Sequence, residues 1–216
     1  MRSSKEEWEY WLEHAERHFK NHRAKLVVDT DDFTVIDWRN ADGSVDYYIN
    51  FMIDKRRGSL HVDGDLGSSI ATWYNRLDTA KLKSYLKDVG YYMGKFQCTS
   101  DKYCYDSDDA FSDFEDYART ENIEAFIETS DEYDNYADFK NDVIEEIENS
   151  MRGKDFVPTN RLYEIASEID ADAFEWISSI GQSIDARVYL WAIGFNMAVT
   201  QLEAGAKNEE LSATKK

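Results

Sequence analysis

Between residues 101 and 150 the chain carries 18 aspartates and glutamates against three bases, Lys102, Arg119 and Lys140, a net charge of −15. A segment this charged must keep nearly every carboxylate in water, so it can bury only a narrow apolar stripe. Amphipathic helices meet that demand. Tyr136, Phe139, Val143, Ile147 and Met151 form such a stripe across residues 136–151, while Asp134, Asp138, Asp142 and Glu145 recur about one turn apart elsewhere on the same stretch. Like charges at that spacing oppose the helix by roughly 0.2–0.5 kcal/mol per pair. A surface that only kept the chain soluble would mix in more bases.

The acidity belongs to one half of the molecule. Residues 1–100 hold 16 acids and 15 bases, a net of −1, whereas residues 101–216 hold 28 acids and 10 bases, a net of −18. Direct binding to nucleic acid or to an anionic membrane through the acidic face is thereby disfavoured. A content of 42% hydrophobic and 14% aromatic residues supplies one sizeable core or two small ones. No run of roughly 18 apolar residues occurs, and Met1-Arg2-Ser3-Ser4-Lys5 leads into charged, Trp-rich sequence without a signal-peptide core. The expectation is a cytoplasmic protein that neither spans a membrane nor is exported. Cys98 and Cys104, a single C-x5-C pair, build neither a disulfide scaffold nor a zinc ribbon, which fits a reducing compartment.

Along the chain, Trp8, Trp11, Leu12, Ala15 and Phe19 predict an amphipathic helix over residues 3–24 behind a Ser4-x-x-Glu7 capping box. Strand chemistry follows: residues 25–28, 33–38, 47–53 and 59–62, separated by turn signals at Asn40-Ala41-Asp42-Gly43 and Arg56-Arg57-Gly58. After Gly64-Asp65-Leu66-Gly67 the period reads as helical over residues 68–75, then 79–89, 108–118, 123–129, 136–151, 159–169, 171–180 and 186–204. The single proline, Pro158, stands at a plausible first turn, and residues 207–216 lack apolar periodicity. The fold class expected is α+β. An N-terminal helix and an antiparallel meander of three or four strands fill residues 1–100, an acidic helical module fills 101–206, and a disordered tail follows over 207–216.

Three groups of residues invite chemistry. The acids Asp106, Asp108, Asp109, Asp113, Glu115, Asp116, Asp134, Asp138, Asp142, Glu145 and Glu146 form either a solvated face or a docking surface for a basic partner. Duplex DNA presents one charge per about 1.7 Å, so the 15 net negatives match roughly 25 Å of duplex, the footprint of a modest nucleic-acid cleft. His61, Asp63 and Asp65 alternate onto one side if the strand persists. They suit either a hard cation beside a phosphate at a helix start, or a strand-to-helix turn capped by Asp65 or Ser68. His14, His18 and His22 have the spacing of helical metal ligands, but no H-E-x-x-H pattern accompanies them and they read as surface histidines. The two cysteines read as free thiols, the tryptophans at 8, 11, 38, 73, 176 and 191 as core, and no G-x-S-x-G elbow occurs. No cofactor is expected.

The stretch Gly64-Asp65-Leu66-Gly67, followed by Trp73 and then by Gly90-Tyr91-Tyr92-Met93, Lys95, Gln97 and Cys98, resembles small proteins encoded by phages and other mobile elements. The likeness covers a minority of the chain and carries over no catalytic residue. What it implies is a phage-like origin and a host-cell cytoplasmic setting. By analogy of class, small acidic phage proteins include anti-CRISPR and anti-restriction inhibitors that imitate nucleic acid. The expectation is therefore a DNA mimic rather than an enzyme, its acidic face entering the basic channel of an RNA-guided CRISPR nuclease or a restriction enzyme. Two alternatives stand beside it: a metal-dependent phosphoesterase or nucleotide-binding enzyme using His61, Asp63 and Asp65, and a virion structural or assembly protein.

Overall fold

The computed structural model describes residues 4–213 and divides into two compact units, residues 1–102 with 185–216, and residues 103–184.

The first unit opens with α1 (Ser4–His18), whose Ala15 is fully buried and whose stripe continues into buried Phe19. The helix ends at His18, where Phe19 N closes its last turn on the Ala15 carbonyl and His22 N then bonds the Phe19 carbonyl, turning the chain into a strand. The expected helix to residue 24 is thus too long by six residues, and His22 is the first residue of β1 rather than a third histidine on one helix.

Six antiparallel strands follow in sequence order, β1 (His22–Asp29), β2 (Phe33–Asn40), β3 (Ile49–Asp54), β4 (Ser59–Gly64), β5 (Ser69–Thr72) and β6 (Phe96–Thr99). The meander is longer than the three or four strands anticipated. Period-two alternation places Ile36 and Trp38, Ile49, Phe51 and Ile53, Leu60 and Val62, and Ala71 on one buried face. On the other face the registers align Val28, Val35, Met52, His61, Ile70 and Cys98 in one row across all six strands. Residues 68–75, expected as helix, contain β5. Ser69 and Ala71 point inward while Ile70 and Thr72 point outward, an alternation that a helical count over Ile70 and Trp73 conceals.

Between β5 and β6 the chain forms α2 (Thr79–Tyr85), capped by the Asp78 carboxylate, and α3 (Val89–Met93), capped by Asp88. The C-terminal helix, Ala186–Ala213, returns to this unit and packs on α1, α2, α3 and strands β1 to β3. Its residues Val188, Tyr189, Leu190, Trp191, Ala192 and Ile193 are all buried, as befits a helix enclosed on most sides. Close approach is possible because Gly194 lacks a side chain: a Cβ there would lie 3.1 Å from Ile49 Cδ1. Phe195 meets Phe51 edge-on at 5.3 Å. The acidic module therefore ends at residue 184, not 206, and residues 207–213 continue the helix where a tail was expected. Residues 214–216 of that tail, and the Ser4 side chain of the expected capping box, lie outside the described residues.

The second unit starts and finishes on one strand pair, β7 (Tyr103–Tyr105) against β10 (Gln182–Ile184). Between them run α4 (Ser107–Ala118), α5 (Thr120–Thr129), α6 (Tyr136–Ser150), a two-strand hairpin of β8 (Met151–Arg152) and β9 (Asp155–Phe156), α7 (Asn160–Ile169), and α8 (Ala173–Trp176) with a 3₁₀ turn over Ile177–Ser179. One apolar cluster joins them, built on Phe111, Phe114, Phe139, Val143, Leu162 and Trp176. The predicted stripe on α6 holds for Phe139, Val143 and Ile147, while Tyr136 lies exposed at its start. Thr159 caps α7 through Leu162 N, so Pro158 stands one residue before the cap and not within the first turn.

Candidate functional site

Charge divides along the same boundary as the fold. Residues 103–184 hold 23 acids and five bases, a net of −18, whereas the remaining residues hold 21 acids and 20 bases. Arg161, Lys140 and Arg119 are among the bases engaged within the unit. Arg161 reaches Glu132 Oε2 at 2.5 Å, Tyr133 Oη at 2.9 Å and Asp142 Oδ2 at 3.2 Å, which raises its pKa further above the ordinary guanidinium value. Lys140 lies over the Phe111 ring at 4.8 Å, and Arg119 lends its charge to Asp170.

The eleven acids proposed from sequence fall into two sets. Six of them satisfy donors of their own unit. Asp106 caps α4 through Asp108 N and Asp109 N; Asp113 accepts from Gly181 N at 2.8 Å; Glu115 accepts from Tyr136 Oη. Asp138 accepts from Asn135 Nδ2 at 2.7 Å, Asp142 from Tyr133 Oη at 2.5 Å, and Glu146 from Thr159 Oγ1. Burial and the adjoining Glu115 carboxylate push the Tyr136 hydroxyl up to about 12, and burial with the Asp142 carboxylate pushes Tyr133 up as well, so both phenols stay protonated donors. The other five, Asp108, Asp109, Asp116, Asp134 and Glu145, are exposed. Asp134 precedes the Asn135 cap and so is not on α6 at all, and Asp142 is half-buried; the acids of residues 134–145 do not form one continuous solvent row.

His61, Asp63 and Asp65 are not brought together. His61 and Asp63 share the open face of β4, with His61 Nε2 placed 3.2 Å from Ser59 Oγ, but Gly64 ends the strand with φ +150° and Asp65 turns away to accept from Tyr47 N at 2.9 Å. Asp65 to Ser68 form the loop of a β4–β5 hairpin, so neither Asp65 nor Ser68 caps a helix. Among the described residues no three His, Cys, Asp or Glu side chains gather as metal ligands. His14 packs beside Tyr10 and Trp11, and His18 stacks on Tyr47 at 4.2 Å. Trp38, Trp73, Trp176 and Trp191 are buried in the two cores, and both cysteines are free thiols.

Sequence reasoning overlooked one concavity of the first unit. Arg56 and Arg57, on the β3–β4 turn, stand with Ser59, His61, Ile70, Thr72 and Tyr74 around an open cleft of about 580 Å³. The doubled arginine before Gly58 is a signal of it, but Tyr74 belongs to a segment read as helix. Among the described residues no helix is long and apolar enough to cross a membrane. No known protein family, curated protein or solved structure matches the chain.

Proposed function

We propose that residues 103–184 are a docking module for a basic, nucleic-acid-binding protein, and that the chain inhibits such a protein by occupying the channel meant for a polyanion. The observation that carries this reading is the confinement of all but one of the net negative charges to one compact unit: −18 within it, −1 outside. Excess charge needed only for solubility has no reason to respect a fold boundary. The contacts fall to the exposed acids for whose carboxylates the described residues provide no hydrogen-bond or ion-pair partner, Asp108, Asp109, Asp116, Asp134 and Glu145, with the six internally bonded acids supplying background field. RNA-guided nucleases and restriction enzymes are the target class, since both hold nucleic acid in basic grooves, and inhibition of a host defence enzyme suits the phage-like resemblance.

The test is DNA cleavage by a panel of such nucleases with and without the protein. Stoichiometric inhibition of at least one is expected. The triple variant Asp116→Lys, Asp134→Lys, Glu145→Lys should lose at least thirtyfold in potency, while Glu13→Lys, Glu16→Lys, Asp46→Lys, with the same change in net charge but in the first unit, should not. Equal loss in both would reduce the effect to net charge, and inhibition of no member would overturn the proposal.

A further inference from the structure

The cleft beside the β3–β4 turn is free of carboxylates in its lining, in a chain where acids outnumber lysines and arginines 44 to 25. Arg56 is exposed and makes no ion pair or hydrogen bond among the described residues. Arg57 is 86% exposed along its side chain, and its Nε lies 3.9 Å from Asp54 Oδ2, the outer limit of an ion pair. Asp54 is instead occupied by the turn, its Oδ1 accepting from Arg57 N at 2.8 Å. Two guanidinium groups are thus presented to solvent with little to neutralise them.

Tyr74 is the second, independent observation. It has φ +56°, a left-handed conformation that bulky L residues avoid, yet the residue is 79% exposed, so no burial compensates for the strain. The backbone around it is pinned. Trp73 N bonds the Gly58 carbonyl at 2.8 Å, and Gly58, itself at φ +74°, sits so close that a Cβ would fall 1.8 Å from the Asn75 carbonyl oxygen. The arginine turn and Tyr74 are therefore held side by side as one piece. The Tyr74 hydroxyl donates to Gln97 Oε1 at 3.2 Å, anchoring one edge of the ring.

We infer that this cleft binds a nucleotide, its base stacked on Tyr74 and its phosphate held by Arg56 and Arg57. Ser59, His61 and Thr72 offer hydroxyl and imidazole partners to the sugar, and Ile70 adds apolar lining. The volume is within the ~300–1,000 Å³ of small-ligand sites. Arginine forks with an exposed aromatic on an open sheet face are the ingredients by which a base and its phosphate are recognised together. The same chemistry admits two sources, a free mononucleotide or one residue of a single strand.

The full chain is titrated by calorimetry at about 150 mM salt, where the Debye length of ~8 Å screens exposed charges beyond that range, with adenosine 5′-monophosphate, adenosine, inorganic phosphate and an eight-nucleotide oligoadenylate. The monophosphate is expected to bind at least tenfold more tightly than adenosine or phosphate alone. An octamer that binds more than tenfold tighter still identifies a strand as the source; equal affinity identifies the free nucleotide. Arg56→Ala with Arg57→Ala should cost at least tenfold. Tyr74→Gly should cost a similar factor while leaving the melting temperature unchanged or higher, because glycine accepts φ +56°. No binding of any nucleotide at millimolar concentration, phosphate binding as tightly as the monophosphate, or unaltered affinity in both variants overturns the assignment.

Discussion

His22 is a buried imidazole whose two nitrogens have unequal surroundings. Nε2 lies 3.2 Å from the Tyr47 carbonyl, to which it donates, while Nδ1 is buried without a partner. Protonation would put a second N–H where no acceptor waits. Burial accordingly holds its pKa below the ordinary value, outweighing the Tyr47 carbonyl and the Asp42 carboxylate, which both favour the charged ring. The sign of the consequence is fixed: below pH 6.5 the unfolded chain takes up a proton that the folded chain refuses, so stability drops as pH falls and levels off once the native ring is protonated too. Urea denaturation between pH 7.5 and pH 5.5 should show that decline in the native chain and a flatter one in His22→Phe. An unchanged slope would remove His22 as its source.

At the scale of elements, the C-terminal helix is the piece whose role the local pattern hides. Phe195 is fully buried against Phe51, and truncating a buried phenylalanine to alanine costs about 3–5 kcal/mol. Phe195→Ala should therefore lower the urea midpoint of the six-stranded unit by the amount expected of a central core residue, although it stands near the end of the chain. A loss below about 0.5 kcal/mol, the range of surface substitutions, would show that this helix is not part of that core. The helices α4 to α7 were readable because each carries a one-sided stripe, and α4, α6 and α7 also open on the caps Asp106, Asn135 and Thr159. The strands β5 to β7 were not, since four- and three-residue segments like Phe96–Thr99 and Tyr103–Tyr105 are too short to establish a period. The run from Val188 to Ile193, apolar on every side, did carry a sign that it belonged to a core, but which core depends on partners more than a hundred residues away. For the same reason the charged residues of the acidic segment could be named from sequence while their division could not: the partners Gly181 of Asp113 and Arg161 of Asp142 are supplied by other elements of the unit.

For the whole molecule, the acidic unit enters and leaves at one place. Asp185 N bonds the Lys102 carbonyl at 3.0 Å, and the next residues inward, 103–105 and 182–184, pair as β7 and β10. Residues 1–102 and 185–216 are therefore already closed on themselves without the segment between them, and chain ends this close tolerate insertion and excision. A chain in which Gly-Ser-Gly replaces residues 103–184 should fold, with near-ultraviolet dichroism from Trp38, Trp73 and Trp191 retained and a cooperative melt. It should also lose nuclease inhibition while keeping nucleotide binding. A molten product would show that the outer unit needs its guest. The geometry of that crossing has a bearing on ancestry as well. When the residues flanking a segment are already hydrogen-bonded to one another, one recombination event can add or remove that segment without shifting the register of the six-stranded sheet, so a lineage can exchange the charged cassette while the scaffold that carries it stays the same.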